Sequence, residues 1–135
     1  LTATEKQQAR DNIGIPKYVK LDSYDTSITT PEDAARITDV GAFHILYYHD
    51  NGGHLRLLAE NMDMSDPHSI TVSSDDSINT YANIAFASRA DLSAVSFSTG
   101  NGFHQDLRFI IDDVNFGELS IQWRQTPTAQ LWYKV

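Results

Sequence analysis

The chain has 135 residues, of which 41% are hydrophobic, and it carries a formal net charge of −8 and no cysteine. A chain of this length is typical of one domain that can bury a core without covalent cross-links. The lack of cysteine excludes disulfides and thiolate metal sites, and the acidic balance disfavours nucleic acid and anionic membranes as partners. No apolar run approaches the ~20 residues of a membrane span, so we expect no membrane insertion.

The first fourteen residues carry the start and stop signals of a short helix. Thr2 and Glu5 have the spacing of a capping box, whose side-chain oxygens accept hydrogen bonds from amides that a helix start leaves unpaired. Gly14 suits the left-handed residue that follows a helix, and Pro16 prevents its continuation. We therefore predict a helix from residue 3 to residue 12. A helix of about ten residues is unstable alone in water, so it needs neighbours from this chain or from other copies.

The same run resembles a segment that recurs in tail fibres and related receptor-binding proteins of tailed bacteriophages. The residues that carry the resemblance are Leu1, Thr2, Glu5, Lys6, Gln8, Ala9, Arg10, Asn12, Ile13 and Gly14. In that family the segment commonly joins an elongated trimeric shaft to a more distal domain. The resemblance implies a distal, C-terminal domain of a homotrimeric fibre, located at the tip of the virion tail fibre. An ordinary capped helix at the start of a domain is the alternative.

A trimer needs apolar contacts between its copies, and the N-terminal helix offers a narrow stripe of small apolar residues. The candidate oligomer contacts, from this helix and from the last strand, are Leu1, Ala9, Ile13, Leu131 and Tyr133. Because the chain begins at Leu1 and not at methionine, we also expect it to be a part of a longer protein.

Two elements are predicted between residues 15 and 41. Residues 15–21 alternate in part and predict a first strand. Thr30 then suits a helix N-cap, Pro31 the first helical position, and the following acids the positive end of a helix dipole. We therefore predict a second helix, which continues through Ile37 and ends before Gly41.

From residue 42 onward the sequence is typical of short strands separated by turns. Residues 42–48 are apolar on both faces, which predicts a central strand, and the Asn51–Gly52 pair predicts a hairpin to residues 54–60. The further predicted strands are 70–73, 78–88, 92–98, 103–111, 118–124 and 130–135, with turns at 74–77, 99–102 and 112–117. On 103–111, Leu107, Phe109 and Ile111 are predicted to share one face. On 118–124, Leu119, Ile121 and Trp123 are predicted to face inward.

Strands at this regular spacing favour a sandwich or a barrel. We predict a mainly β fold, namely an antiparallel β-sandwich of jelly-roll-like form, preceded by a short N-terminal helix and trimeric. Residues 1–30 would form the helix and a connecting segment at the junction with the shaft. Residues 31–135 would form the receptor-binding sandwich.

The sequence contains few signs of an enzyme active site. The adjacent pairs Asp75–Asp76 and Asp112–Asp113 lie where turns are predicted, and turn formation is the ordinary role of such aspartates. No Gly-x-Ser-x-Gly motif marks a nucleophile, and no glycine-rich phosphate loop is present. We expect no catalytic residues and no cofactor, and a small polysaccharide-degrading or esterase domain is the alternative.

A metal site is a second alternative. His49 and His54 flank one predicted turn, and with Asp50 they would make a half-site for Zn²⁺ or Ni²⁺. The run from Asp63 to Asp66 has some likeness to a Ca²⁺ loop but lacks its twelve-residue pattern. We expect solvated turn residues in both places, and no metal.

Binding of a ligand fits the sequence better. Sugars are bound by aromatic faces together with amide, carboxylate and imidazole groups, and loops on a rigid scaffold are where binding usually resides. The candidate ligand-binding residues lie at two predicted hairpin tips and are His49, Asp50, Asn51 and His54, and Asn101, Phe103 and His104. We expect non-covalent adhesion to a bacterial surface ligand, a glycan or an outer-surface protein. A purely structural fibre or baseplate module is the alternative.

Overall fold

A computed structural model describes residues 2–6, 18–75, 77–92, 102–124 and 128–135, and for residues 102 and 103 it describes the backbone alone. The prediction of a mainly β fold is confirmed, because the described strands form two antiparallel sheets. The strands are β1 (Val19–Lys20), β2 (Ala35–Val40), β3 (Phe43–His49), β4 (Leu55–Asn61), β5 (His68–Ser73), β6 (Ile78–Ile84), β7 (Arg89–Asp91), β8 (Gly102–Ile111), β9 (Val114–Arg124) and β10 (Gln130–Lys134).

One sheet has six strands in the order β1-β10-β9-β8-β5-β6, and the other has four in the order β2-β3-β4-β7. The predicted hairpin between residues 42 and 60 is confirmed: β3 pairs with β4 from Phe43↔Asn61 to His49↔Leu55. As predicted from its apolar faces, β3 is a central strand, with β2 on its other side.

The predicted second helix is wrong. Pro31–Asp33 form one 3₁₀ turn, and the chain then continues as β2, which pairs with β3. The β-branched residues Ile37 and Val40 are buried in this pairing, which outweighs the helix-start signals before them. Gly41, with a φ of +55°, does not end a helix but begins the two-residue connection between β2 and β3.

Two other boundaries differ from the prediction. The strand predicted over 78–88 ends at Ile84, and a turn in which Ala87 has a φ of +63° leads into β7. The turn predicted over 112–117 is only two residues long, because Asp112 and Asp113 both adopt positive φ, 50° and 65°, and β9 begins at Val114. Aspartate is favoured in such tight hairpin turns, so the predicted turn role of this pair is confirmed. Of the strand predicted over 92–98, only Leu92 lies within the described residues.

The start of the N-terminal helix is confirmed at residues 3–6. The backbone N–H of Thr2 donates to Glu5 Oε1 at 3.0 Å, and the backbone N–H of Glu5 donates to Thr2 Oγ1 at 3.1 Å. These reciprocal hydrogen bonds are the predicted capping box. The rest of the predicted helix, residues 7–12, lies outside the described residues. Of the strand predicted over 15–21, the described part forms only β1, paired with β10.

The two sheets contribute to one hydrophobic core. Phe43, Tyr47 and Leu57 of the smaller sheet belong to the same buried cluster as Phe109 and Ile121 of the larger. The residues predicted to share one face of β8 and those predicted to face inward on β9 are all buried, at 3% exposure or less. Leu21, Tyr24 and Ile28 pack against the same core. The predicted boundary at residue 30, between the N-terminal segment and the receptor-binding domain, stays a prediction. No helix among the described residues is long and apolar enough to cross a membrane.

One buried amide ties the connections at one end of the sheets. Asn61, at the end of β4, is completely buried. Its Nδ2 donates to the carbonyls of Asp66 at 3.0 Å and Ile84 at 2.8 Å, and its Oδ1 accepts from the backbone N–H of Asp63 at 2.8 Å. The side chain thereby holds the connection between β4 and β5 against the end of β6.

Replacing Asn61 with alanine should lower the free energy of unfolding by about 2–4 kcal/mol, because three backbone groups lose their partner at a buried position. Urea denaturation measures this loss directly. The matched control is Asn79→Ala at an exposed position of β6, which should change the free energy by less than about 0.5 kcal/mol. Equal effects of both substitutions would contradict the assigned role.

Candidate functional site

The predicted tip of the β3–β4 hairpin is organised by Asp50. Its Oδ1 accepts hydrogen bonds from the backbone N–H groups of Gly52 and His54, both at 2.9 Å. Its Oδ2 accepts from Arg56 Nε at 2.8 Å, and His54 Nδ1 lies 3.1 Å from Oδ1. Although partial burial acts to raise the pKa of Asp50, hydrogen bonds from His54, Arg56 and Gly52 hold it far below its usual range. The carboxylate therefore stabilises the turn, and Asn51 lies exposed beside it.

His49 lies beneath this tip and not at its surface. The ring is 6% exposed, with Nε2 at 2.6 Å from Tyr24 Oη and Nδ1 at 3.1 Å from the carbonyl oxygen of Ile28. Because a carbonyl can only accept, Nδ1 carries the proton, and Tyr24 donates to Nε2 while accepting from Trp123 Nε1. Burial raises the pKa of Tyr24. The two histidines of the proposed metal half-site thus have different partners, and among the described residues no group of three or more ligating side chains could hold a metal ion.

The second predicted tip is described only in part. Asn101 and the side chain of Phe103 lie outside the described residues. His104 is half exposed, with Nε2 at 3.1 Å from both Tyr18 Oη and Asp106 Oδ1. The start of β8 nevertheless lies near the base of the first hairpin. The His49 ring is 6.4 Å from that of Trp123, whose backbone pairs with Phe103 at the start of β8.

His104 belongs to a surface that was not predicted. It lies on the side of the larger sheet that faces away from the core, where β1, β10, β9 and the start of β8 meet, and we call it the outer face. Its residues are Tyr18, Lys20, His104, Asp106, Gln122, Arg124, Trp132 and Lys134. On β10, Leu131 is buried in the core and Tyr133 packs against it, so the alternation of a strand turns Trp132 and Lys134 to this opposite side.

Strand register aligns these residues in rows across the sheet. Lys20 pairs with Trp132, Trp132 with Gln122, and Gln122 with His104, so four strands contribute one row. Residues directly opposite each other on antiparallel strands share a face and lie close together. The next row contains Lys134, Ser120 and Asp106. The outer face therefore brings together residues that are more than a hundred positions apart in the chain.

The aromatic side chains of the outer face are in contact with cations. The guanidinium carbon of Arg124 lies 5.2 Å from the ring centroid of Trp132, and its Nη2 donates to Gln130 Oε1. Lys134 Nζ lies 4.9 Å from the centroid of Tyr18. A hydrogen bond from Ser120 lowers the pKa of Asp106, and His104 and Lys134 add to this, so Asp106 is a carboxylate at neutral pH. The face thus presents apolar rings, three cationic groups (with Lys20) and hydrogen-bonding groups side by side.

Sequence alternation indicates which side of each strand faces out, but not which strands are neighbours. Trp132, Gln122 and Arg124 could have been assigned to the solvent side of β10 and β9 from their alternation with buried residues. Gln122 is brought beside His104 by the β8–β9 hairpin, but the assembly with Tyr18 and Trp132 depends on β1 pairing with β10 and β10 with β9. No local pattern encodes those pairings.

The candidate oligomer contacts have different surroundings. Leu131 is fully buried in the core of its own chain, so it has no exposed surface for contact with a second copy. Tyr133 is partly buried against the same core. Leu1, Ala9 and Ile13 lie outside the described residues.

At the opposite end of the sheets, His68 is held between two carboxylates. Its Nε2 lies 2.8 Å from Asp63 Oδ2, and its Nδ1 bonds Asp112 Oδ2. These contacts, that with Asp112 first, raise the pKa of His68, and the same contacts lower the pKa of both aspartates. Both ring nitrogens are occupied, so neither is free to act as a general base.

The two aspartates of this cluster also hold the backbone. Asp112 Oδ1 accepts from the backbone N–H of Ser69 at 2.9 Å, and Asp63 Oδ1 accepts from that of Ser65 at 2.9 Å. The cluster thus clamps the connection between β4 and β5 to the β8–β9 turn. This assigns a structural role both to the Asp63–Asp66 run, weighed above as a calcium loop, and to Asp112. The other carboxylate pair, Asp75–Asp76, lies only half within the described residues.

The clamp predicts a pH window of stability. Because folding raises the pKa of His68, its contacts stabilise the folded state fully below about pH 6.5. This stabilisation is lost as the pH rises through the folded-state pKa of His68. Because folding lowers the pKa values of Asp63 and Asp112, their contacts stabilise the folded state fully above about pH 4. This stabilisation is lost as the pH falls through their folded-state pKa values. The loss of unfolding free energy caused by His68→Gln should therefore be largest near about pH 5 and smaller at about pH 9.

Chemical denaturation of the native chain and the variant across pH measures this difference. His44→Gln is the matched control, since His44 contacts the single carboxylate of Asp39. A loss on His68→Gln that stays constant from pH 5 to pH 9 would contradict the charged clamp.

Comparisons with protein-family models, with curated proteins and with solved structures found no match to this chain. Its functional residues are therefore identified from its own geometry and charge.

Proposed function

We propose that this chain is a receptor-binding domain at the tip of a bacteriophage tail fibre, which attaches the virion to a bacterial surface glycan without covalent chemistry. The observation that carries the binding role is the outer face, where Trp132 and Tyr18 lie among hydrogen-bonding side chains. The origin in a phage fibre is supported by the resemblance of residues 1–14 alone.

Sugar binding needs flat apolar surfaces for the faces of pyranose rings and polar groups for their hydroxyls. Trp132 is half buried, so its ring is supported by the sheet while part of it stays accessible. Gln122 and His104 lie in the same row and can donate to or accept from hydroxyl groups. Side chains on paired strands are held more rigidly than those on loops, which lowers the entropic cost of binding.

The fold is suitable for such a module. We propose that the two sheets pack face to face as a β-sandwich, which the shared core supports. The jelly-roll-like connection stays a prediction. Asn51 and His54, at the first hairpin, stay candidate ligand-binding residues, and Asn101 and the side chain of Phe103 lie outside the described residues.

We further propose a homotrimer joined through the N-terminal helix, with Ala9 and Ile13 at its axis. The capping box at Thr2 and Glu5 supports the start of that helix. Three copies on one fibre multiply a weak single-site affinity through avidity, so each site can be shallow. An open sheet face is consistent with binding of this kind.

Trp132→Ala should weaken adhesion to the bound glycan by at least about tenfold, because a central aromatic side chain commonly carries more than ~1.4 kcal/mol of binding free energy. Binding is measured on a glycan array and on whole bacteria with the labelled chain. The matched control is Phe116→Ala, which removes an aromatic side chain of β9 that is 47% exposed and outside the outer face. No glycan binding by the native chain would favour the purely structural fibre module, and release of sugar from host polysaccharide would indicate an enzyme.

Light scattering after size exclusion should give a mass near that of three chains of 15.1 kDa each at micromolar concentration. Deletion of residues 1–14 should reduce this mass or make it dependent on concentration, since the helix that joins the copies is lost. A folded monomer in both cases would contradict the trimer.

A further inference from the structure

The outer face is cationic although the chain as a whole is acidic. The formal net charge is −8 with ten lysines and arginines in all. Arg36, Arg56, Arg89 and Arg108 each form an ion pair with a carboxylate. The remaining described lysines and arginines, for which no ion pair is found, are Lys6, Lys20, Arg124 and Lys134. Three of these four belong to the outer face.

All three cations lie near Trp132 in the sheet, and Arg124 contacts its ring, whereas the ammonium of Lys134 lies over the ring of Tyr18. Lys20 is directly opposite Trp132 on the neighbouring strand, and Lys134 is two residues along the same strand, which corresponds to about 4.8 Å and about 7 Å between backbones. The guanidinium of Arg124 lies over the ring itself, 5.2 Å from its centroid. Positive charge is therefore concentrated at the place where the proposed sugar would bind.

The cations have different surroundings. Arg124 is fixed by the indole ring of Trp132 and by the amide of Gln130, so its planar fork is oriented in advance for a planar carboxylate. Lys20 is exposed and is found in no hydrogen bond or ion pair within the described part of the chain. It can turn toward a ligand without breaking a contact.

The face also limits how many negative charges a ligand can carry. Asp106 belongs to this face, and Glu118, on the same side of the sheet, is paired with Arg108. A polymer with a sulfate or phosphate on every unit would place one of its charges against the Asp106 carboxylate, which costs binding free energy. A saccharide with few carboxylates, and with hydroxyls for Gln122, His104 and Asp106, meets no such repulsion.

We infer that the outer face binds an acidic saccharide, a glycan that carries uronate or sialate carboxylates, with a carboxylate on the cations around Trp132 and a sugar ring beside the indole. This inference rests on the proposed glycan-binding function and adds to it the charge class of the ligand. The overall charge of −8 would repel such a ligand at long range, so the attraction is local and should be weakened by salt.

The test uses the full chain with immobilised oligomers of galacturonate, glucuronate and sialate. Each is paired with its carboxyl-reduced, neutral counterpart, and dextran sulfate and an oligothymidylate complete the panel. Binding is measured at low and high salt. We expect at least one carboxylated oligomer to bind more tightly than its reduced counterpart and to bind more weakly in high salt.

Variants locate the attraction on the outer face. Lys20→Gln, Arg124→Gln and Lys134→Gln should each weaken binding of the acidic oligomer about fivefold, the Coulomb attraction of one unit charge at ~4 Å in water. Lys20→Glu should weaken it further, and because Lys20 has no described partner this variant should fold as the native chain does. Arg36→Gln is the matched control, since Arg36 is exposed on the smaller sheet. Its effect should be negligible.

Each other result overturns the inference in a distinguishable way. Equal binding of acidic and reduced oligomers would support glycan adhesion and would contradict a role of the ligand's carboxylate in binding. Preference for dextran sulfate or oligothymidylate would replace the acidic saccharide with another polyanion. Binding of acidic oligomers that is unchanged by Lys20→Glu and Arg124→Gln would move the site elsewhere. Failure of every glycan would remove the proposed function and the inference together.

Discussion

The burial of one apolar core, to which both sheets contribute, is the constraint on which the rest of the structure depends. Strand side chains alternate with a period of two, so burying one set of residues turns the other set outward. On β8, the burial of Leu107 and Phe109 leaves Asp106 and Arg108 on the outside. On β10, burial of Leu131 does the same for Trp132. The outer face is thus a direct consequence of the core.

Most of the polar groups at the ends of the sheets stabilise connections. Asn61 holds the β4–β5 connection, Asp50 holds the β3–β4 turn, and His68 links the β4–β5 connection to the β8–β9 turn through its aspartates. Buried or partly buried polar groups need such partners, because their desolvation is costly otherwise. Histidines and aspartates that looked like ligands in the sequence are therefore largely used by the fold itself.

The outer face differs from these clusters in how its polar groups are used. Its cations contact aromatic rings and an amide, whereas the arginines elsewhere in the described chain contact carboxylates. Lys20 has no partner of its own within the described residues, and Trp132 remains partly accessible. Side chains that a fold does not need for its own stability are available for a ligand, and this distinguishes the outer face from the hairpin tip, where Asp50 and His49 are already engaged.

The sequence by itself determined the β class, the β3–β4 hairpin, the shared apolar face of β8, the inward face of β9 and the capping box at Thr2 and Glu5, because each follows from neighbouring residues along the chain. It misled at residues 30–41, where helix-start signals at Thr30 and Pro31 lost to the pairing of β2 with β3. Only the tertiary structure decided that Tyr18, His104 and Trp132 share one surface. It alone also decided that His49 is buried beneath the tip of the β3–β4 hairpin. The physical reason is that strand neighbours are selected by long-range packing, which no local pattern contains.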